Sequence, residues 1–180
     1  MLHSQFKNIG LQPFVGKLDI EYYEPIEKLC QVAKKQAAKL HDLEVHQATS
    51  QYVSLCNKLI EEVENYVKFR KDQLIPYIQK LYEKDTTGHD CSKCTGNCNL
   101  QHDLRLTELE DSLMHMKDTL SRLQMVSLPL YSDTIYPDVY RILRNQMALI
   151  ENALTDLFSL EETALIPKVK DAQKNIHVHS

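Results

Sequence analysis

The sequence predicts an all-α protein, an antiparallel up-down four-helix bundle, and three observations lead to this prediction. Apolar residues recur every three or four positions along four long segments, which is the period of an amphipathic helix. The 180 residues include only four glycines and six prolines, which argues against a loop-rich or all-β design. No segment alternates apolar and polar residues as a half-buried strand would. With 43% hydrophobic residues, the chain suits one domain with a substantial core.

The first two helices follow from their apolar stripes. The first is expected to begin near Pro25, a residue that suits the first helical turn, and to continue to His41. The second is expected to end near Tyr82, with a kink or break at Pro76, because proline lacks the backbone N–H that a helix interior needs. The two stripes consist of Ile26, Cys30, Ala33, Ala37 and Leu40, and of Tyr52, Cys56, Leu59, Val63, Val67, Leu74 and Ile78.

The third and fourth helices have the cleanest patterns, since their stripe positions alternate by four and three. Such spacing makes a narrow apolar stripe that packs nearly parallel to its neighbours. The stripes are His102, Leu106, Leu109, Leu113, Met116, Leu120 and Leu123, and then Tyr140, Leu143, Met147, Ile150, Leu154, Leu157, Glu161 and Ala164. The predicted organisation is an irregular arm at 1–20, the bundle at 21–172 with a cysteine-rich loop at 85–101, and a flexible tail at 173–180.

The loop before the third helix has the spacing of a metal site. Cys91, Cys94 and Cys98 lie within eight residues, with His89 and His102 on either side. Thiolates two or three residues apart can surround one soft ion, so the cluster indicates zinc or iron. We expect His102 to be the fourth ligand, because it lies one helical turn after Cys98 and shares a face with it; His89 is the alternative. The alternative is a polar loop with reduced thiols and no metal.

Two polar residues interrupt the apolar stripes. Glu161 takes a stripe position on the fourth helix and His102 takes one on the third, whereas Tyr66 and Arg70 lie on or beside the second stripe. A carboxylate among apolar residues is costly unless it is paired or bound to a metal. We therefore expect Glu161 to form a buried salt bridge with Arg70, to bind a metal, or to lie at a solvent-accessible end of the bundle.

Four segments resemble hemerythrin-like proteins. E-E-T-A-L-I-P from Glu161, preceded by D-L-F-S-L, is similar to the fourth-helix motif H-x-x-x-E-x-x-x-L-F-P of that family. Y-V-K-F-R-K-D-Q-L-I-P-Y-I from Tyr66 repeats its shape. Q-H-D-L from Gln101 resembles the E-H-D that opens the third helix in the iron–sulfur-cluster repair branch. L-C-Q-V-A-K-K-Q-A-A-K-L-H, which ends at His41, resembles the first helix of that branch.

The resemblance implies a four-helix bundle that holds a di-iron centre, but with a degenerate ligand set. His41, His102 and Glu161 keep residue types that bind iron. Tyr66 and Arg70 replace the second-helix histidine and glutamate. The fourth-helix histidine is replaced by Leu157, and no histidine lies near Ile20 or Glu21. A di-iron centre is therefore doubtful, since a guanidinium at this position would repel the cations.

Composition narrows the function classes. The net charge of −4 and the absence of a basic patch in the sequence give no reason to expect nucleic acid as a partner. We find neither a signal peptide nor an apolar run of the roughly 18 residues that a span needs. We therefore expect no membrane partner. The five cysteines, an odd number, suggest reduced thiols in the cytoplasm.

The sequence favours a non-enzymatic metal-binding or metal-sensing protein, since we find no phosphate loop or nucleophile elbow. One alternative is a di-iron protein of iron–sulfur-cluster repair or nitrosative-stress response. The second is an interaction scaffold without metal. The metal ion is the partner that we expect. Whether the chain also forms a homo-oligomer or binds a protein partner is left open by the sequence.

Overall fold

The computed structural model describes residue 6 and residues 8–41, 47–90, 94, 98–127 and 138–178, and four long helices account for almost all of them. We find no strand in these ranges, so the predicted all-α class is confirmed for the described part of the chain. Short π-helical turns, in which the backbone bonds span five residues instead of four, interrupt three of the long helices. The elements are α1 Leu11–Leu18, π1 Asp19–Tyr23, α2 Glu24–His41, α3 Gln47–Phe69, π2 Arg70–Leu74, α4 Ile75–Thr86, α5 Cys98–Ser127, α6 Asp138–Leu160, π3 Glu161–Leu165 and α7 Ile166–Val178.

The long helices share one apolar core. The first (α1, π1, α2) packs mainly against the second (α3, π2, α4) and the fourth (α6, π3, α7), and the third (α5) also packs against those two. Along the first helix, α1 contacts α4 and α7, whereas α2 contacts α3 and α6. All predicted stripe residues except the half-buried Leu106 are buried, and they supply most of the buried side chains of the four helices.

The predicted irregular arm at 1–20 is wrong for residues 11–20, which are helical. Phe14 and Leu18, one helical turn apart, are fully buried and anchor this segment to the core. The irregular arm was predicted because proline and glycine residues such as Pro13 are typical of irregular segments. Proline is nevertheless tolerated in the first turn of a helix, where the N–H has no intrahelical partner. The predicted tail at 173–180 is also helical as far as Val178, with Gln173 and Ile176 buried.

The connections differ in detail from the prediction. The second long helix continues past Pro76, and the π-helical turn π2 ends at Leu74, two residues before that proline. The third helix begins at Cys98, one turn earlier than expected, so the last part of the predicted loop at 85–101 is helical. No helix within the described ranges is both long and apolar enough to cross a membrane.

The pH dependence of stability that two buried cysteines cause tests whether the core excludes water. Cys30 and Cys56 are completely buried, and this burial raises the pKa of each thiol from 9.0 to about 12. The unfolded chain loses these protons at a lower pH than the folded chain. Their contribution to stability is therefore intact below pH 9 and is lost as the pH rises toward 12.

We expect the free energy of unfolding in urea to fall by roughly 1.4 kcal/mol per thiol between pH 8 and pH 10. The double variant Cys30→Ala, Cys56→Ala is the control, since it lacks both protons and should show a clearly shallower pH dependence. Equal slopes for the variant and the natural chain would mean that these thiols are not shielded from water in the folded state.

Candidate functional site

A fully buried ion pair lies at the centre of the helices. The guanidinium of Arg70 contacts the carboxylate of Glu161 through two hydrogen bonds, Nη2 to Oε2 at 2.8 Å and Nε to Oε1 at 3.2 Å. Both side chains are 0% exposed. The predicted salt bridge is therefore confirmed, and its two-pronged geometry is the strongest arrangement for an arginine and a carboxylate.

Two tyrosines complete the hydrogen bonding of the carboxylate. The hydroxyl of Tyr23 donates to Oε1 of Glu161 at 3.0 Å, and the hydroxyl of Tyr66 donates to Oε2 at 2.5 Å. Each carboxylate oxygen thus accepts two hydrogen bonds, and a carboxylate offers about four lone-pair sites in all. A metal ion would have to displace at least one of these donors to reach Glu161.

The charge of Arg70 is satisfied just as fully. Its Nη1 donates to the hydroxyl of Ser112 at 2.5 Å, and its guanidinium carbon lies 3.5 Å from the ring centroid of Tyr66. Burial is the largest single influence on the pKa of Arg70 and would lower it, but the charge of Glu161, the hydrogen bond to it and the two tyrosines together outweigh burial, so the pKa is raised. We call Tyr23, Tyr66, Arg70, Ser112 and Glu161 the central polar layer. The layer takes at least one side chain from each long helix.

Both tyrosines of the layer stay protonated. Burial is the main cause that raises the pKa of Tyr23 and of Tyr66 well above 10.0, and the negative charge of Glu161 adds to it. A neutral hydroxyl can donate to the carboxylate, whereas a phenolate beside it would repel it. The layer therefore carries one positive and one negative charge held by neutral donors.

All three π-helical turns contribute to this layer. Tyr23 is the last residue of π1, and Arg70 and Glu161 are the first residues of π2 and π3. In each case the residue after the turn donates its N–H five residues back, and the next residue is Pro25, Pro76 or Pro167. Proline cannot continue the backbone ladder, which explains why the regular helix is interrupted at these points.

Sequence reasoning missed Tyr23 and Ser112, although one signal points to the first. Asp19, Arg70 and Glu161 each precede a proline by six residues. This shared six-residue spacing coincides with the three π-helical turns. A prediction that used it would have started the first helix before Pro25. Turns of this kind occur often at functional sites.

His102 belongs to a second buried cluster. It is 4% exposed, and its Nδ1 lies 2.8 Å from the hydroxyl of Tyr77. Nε2 of Gln173 donates both to that hydroxyl at 2.8 Å and to the backbone oxygen of His102 at 3.0 Å. The cluster joins α4, α5 and α7, and it directs the His102 side chain into the helix packing.

The end of the second long helix fixes the backbone of His89. Gly88 has a φ of +67°, and the N–H groups of Gly88 and His89 donate to the backbone oxygens of Asp85 at 3.2 Å and Lys84 at 3.0 Å. This is the Schellman arrangement, in which glycine takes the left-handed position. His89 itself is half-buried, and its Nε2 is shielded from solvent with no hydrogen-bond partner in the described part of the chain.

The remaining predicted metal ligands are only partly described. Cys94 is half-buried. Cys91 and the side chains of Cys98 and His41 lie outside the described residues. Where side chains are described, we find no group of three or more His, Cys, Asp or Glu residues that could hold a metal ion. The three-cysteine site therefore stays a prediction, as does the residual role of His41.

Comparisons with protein-family models, with curated proteins and with solved structures give no match for this chain.

Proposed function

We propose that this protein is a non-enzymatic metal-binding protein that holds one zinc ion in the loop between its second and third long helices. Cys91, Cys94 and Cys98 supply three thiolates, and His89 supplies the fourth ligand. Three thiolates and one imidazole make a closed tetrahedral site of the structural type. In this role the metal regulates or stabilises the fold, and no substrate reaches it.

The observation that carries this proposal is the state of the His89 imidazole. Its Nε2 is shielded from water and has no hydrogen-bond partner among the described residues. Such a nitrogen is costly, because a buried polar atom without a partner loses its hydration and gains nothing in return. A bound ion removes that cost. The Schellman turn at Gly88 fixes the backbone of His89, which lies two residues before the first cysteine in the sequence.

His102 is the weaker choice for the fourth ligand. Its Nδ1 is engaged by Tyr77, and its backbone oxygen is held by Gln173. To bind zinc, the imidazole of His102 would have to turn toward the cysteine-rich loop. This movement would break its contact with Tyr77 and expose a cluster that joins three helices. The spacing in the sequence favours His102, with His89 as the alternative, whereas the contacts of His102 in the buried cluster favour His89.

We further propose that the four long helices form an antiparallel bundle that is hemerythrin-like with a lost di-iron centre. The start of the first helix contacts the ends of the second and fourth helices, and its end contacts their starts, which supports antiparallel neighbours. In this reading the guanidinium of Arg70 takes the place of cations in the bundle core.

The iron–sulfur-cluster repair alternative is disfavoured by the same layer. A di-iron centre needs several free carboxylate and imidazole ligands, whereas the carboxylate of Glu161 already accepts four hydrogen bonds. Leu157, at the position that the resemblance assigns to a histidine, is a fully buried apolar residue. We predict that this core holds no pair of metal ions.

Metal content of purified, untagged protein tests the proposal. We expect about one zinc per chain and no stoichiometric iron, as a single four-ligand site requires. The variant His89→Ala should lose most of its zinc, because three thiolates without a fourth ligand bind far more weakly. The matched control is His115→Ala, which removes an exposed imidazole on α5 and should keep its zinc. Full zinc in both variants would exclude His89 as a ligand.

A further inference from the structure

A cleft of about 500 Å³ lies beside the end of the second long helix and the first turns of α5. Three cationic side chains line it, namely Lys80 and Lys84 from α4 and Arg105 from α5. Asp72 is the single carboxylate in its lining. This excess of positive charge is local, since the whole chain carries 21 Lys and Arg against 25 Asp and Glu.

The fold creates this basic cleft by bringing distant residues together. Lys80 and Arg105 are separated in the sequence by the cysteine-rich loop. A basic patch that contains both of them therefore cannot be seen from their positions in the sequence. Lys80 makes no ion pair with any described residue, whereas Arg105 pairs with Glu108 at 2.7 Å on its own helix. A concave surface lined by one sign of charge concentrates counter-ions far better than the same charges on a flat surface.

Two further features favour an anion in the cleft. Gln101 lines it from the first turn of α5. The backbone N–H groups of such a turn have no intrahelical partners and carry the positive end of the helix dipole. The floor includes His102, which is almost fully buried, and the hydroxyl of Tyr77, which is bonded to it. These polar groups are held in place before any ligand arrives.

We propose that this cleft binds a compact dianion, with a phosphate group as the chemistry it fits best. Lys80 and Lys84 neutralise the charge from one wall, and Arg105 can present two parallel N–H donors from the other. The volume accommodates a small phosphorylated molecule. This inference does not depend on the zinc site, because none of the three cations is a proposed metal ligand.

The test is a titration of isotope-labelled full-length protein with inorganic phosphate, followed by two-dimensional proton–nitrogen NMR at constant ionic strength. We expect the amide signals of Lys80, Gln101 and Arg105 to shift together, with a dissociation constant of the order of 1 mM or tighter. Succinate is the second arm, since it is a dianion without phosphorus. Succinate should bind more weakly than phosphate, because the proposed cleft fits a phosphate group better than a dicarboxylate. Equal affinities for the two dianions would overturn the proposed preference for phosphate.

Charge reversal provides the control. Lys80→Glu should weaken phosphate binding about tenfold, because one attraction is replaced by one repulsion. Lys35→Glu reverses an exposed lysine on α2 and should leave the affinity unchanged. Both lysines are exposed, so unchanged signal dispersion will verify that each variant is folded. The proposal is overturned if phosphate shifts none of these amides, or if both variants weaken binding equally.

Discussion

Replacing Arg70 with alanine should reduce the free energy of unfolding by roughly 3–5 kcal/mol. The variant leaves the carboxylate of Glu161 buried at the centre of the fold without its cation. The cost is dominated by that uncompensated charge, since Glu161 is 0% exposed and cannot reach water. Urea unfolding followed by circular dichroism measures the effect, and it will identify Arg70 as the counter-ion of the layer.

Two comparison variants separate the ion pair from general damage. Arg141→Ala removes an arginine whose partner Asp138 is exposed, and it should change stability by less than about 1 kcal/mol. The double variant Arg70→Met, Glu161→Gln removes both charges and keeps an acceptor for the two tyrosine hydroxyls. It should recover most of the loss, because well-packed neutral residues often replace a buried ion pair without a net cost. A double variant as unstable as Arg70→Ala would contradict this explanation.

Replacing Cys94 with serine should lower the melting temperature by roughly 10 °C when the natural chain is loaded with zinc. An ion present at about 1,000 times its dissociation constant stabilises the folded state by about 4 kcal/mol. For a chain of this size, each kcal/mol shifts the melting temperature by about 2–4 °C. In the proposed site the metal would join the end of the second long helix to the start of the third, and this link would exist only in the folded state.

Chelation gives the matching control for Cys94→Ser. Removing zinc from the natural chain should lower its melting temperature to nearly that of the variant, and the same chelator should leave the variant unchanged. If the natural chain and Cys94→Ser melt together before and after chelation, the loop has no structural metal, and the scaffold without metal becomes the better account.

The long helices and the central ion pair can both be predicted from the sequence by one principle, namely that positions on the apolar stripes of the helices are buried. Glu161 and Arg70 fall on apolar stripes, and two charges that must be buried have each other as the available partners. Apart from the half-buried Leu106, every predicted stripe position on α5 and α6 is buried, because a period of three and four residues is the direct consequence of helix geometry.

Other features depended on backbone conformations that residue patterns do not reveal. Residues 11–20 contain glycine and proline, so their helix was missed even though Phe14 and Leu18 lie one turn apart. The hydrogen bonds of Tyr23 depend on the π-helical turn that ends at this residue. The backbone position of His89, whose Nε2 is shielded from solvent, depends on the left-handed conformation of Gly88.

The basic cleft shows a third limit of sequence reasoning. From the sequence alone, Lys80, Lys84 and Arg105 form no basic patch, because the linear order does not show which helix faces meet. Only the packing of α4 beside the start of α5 brings the three cations to one concave surface.

X-ray absorption spectroscopy at the zinc and iron edges of untagged protein reports the metal and its ligands together, and it is therefore the decisive measurement for the proposed site. We predict zinc with three sulfur ligands at about 2.3 Å and one nitrogen ligand at about 2.0–2.1 Å, the distances of a closed structural site. Two iron ions with oxygen and nitrogen ligands, or zinc without sulfur ligands, would contradict it.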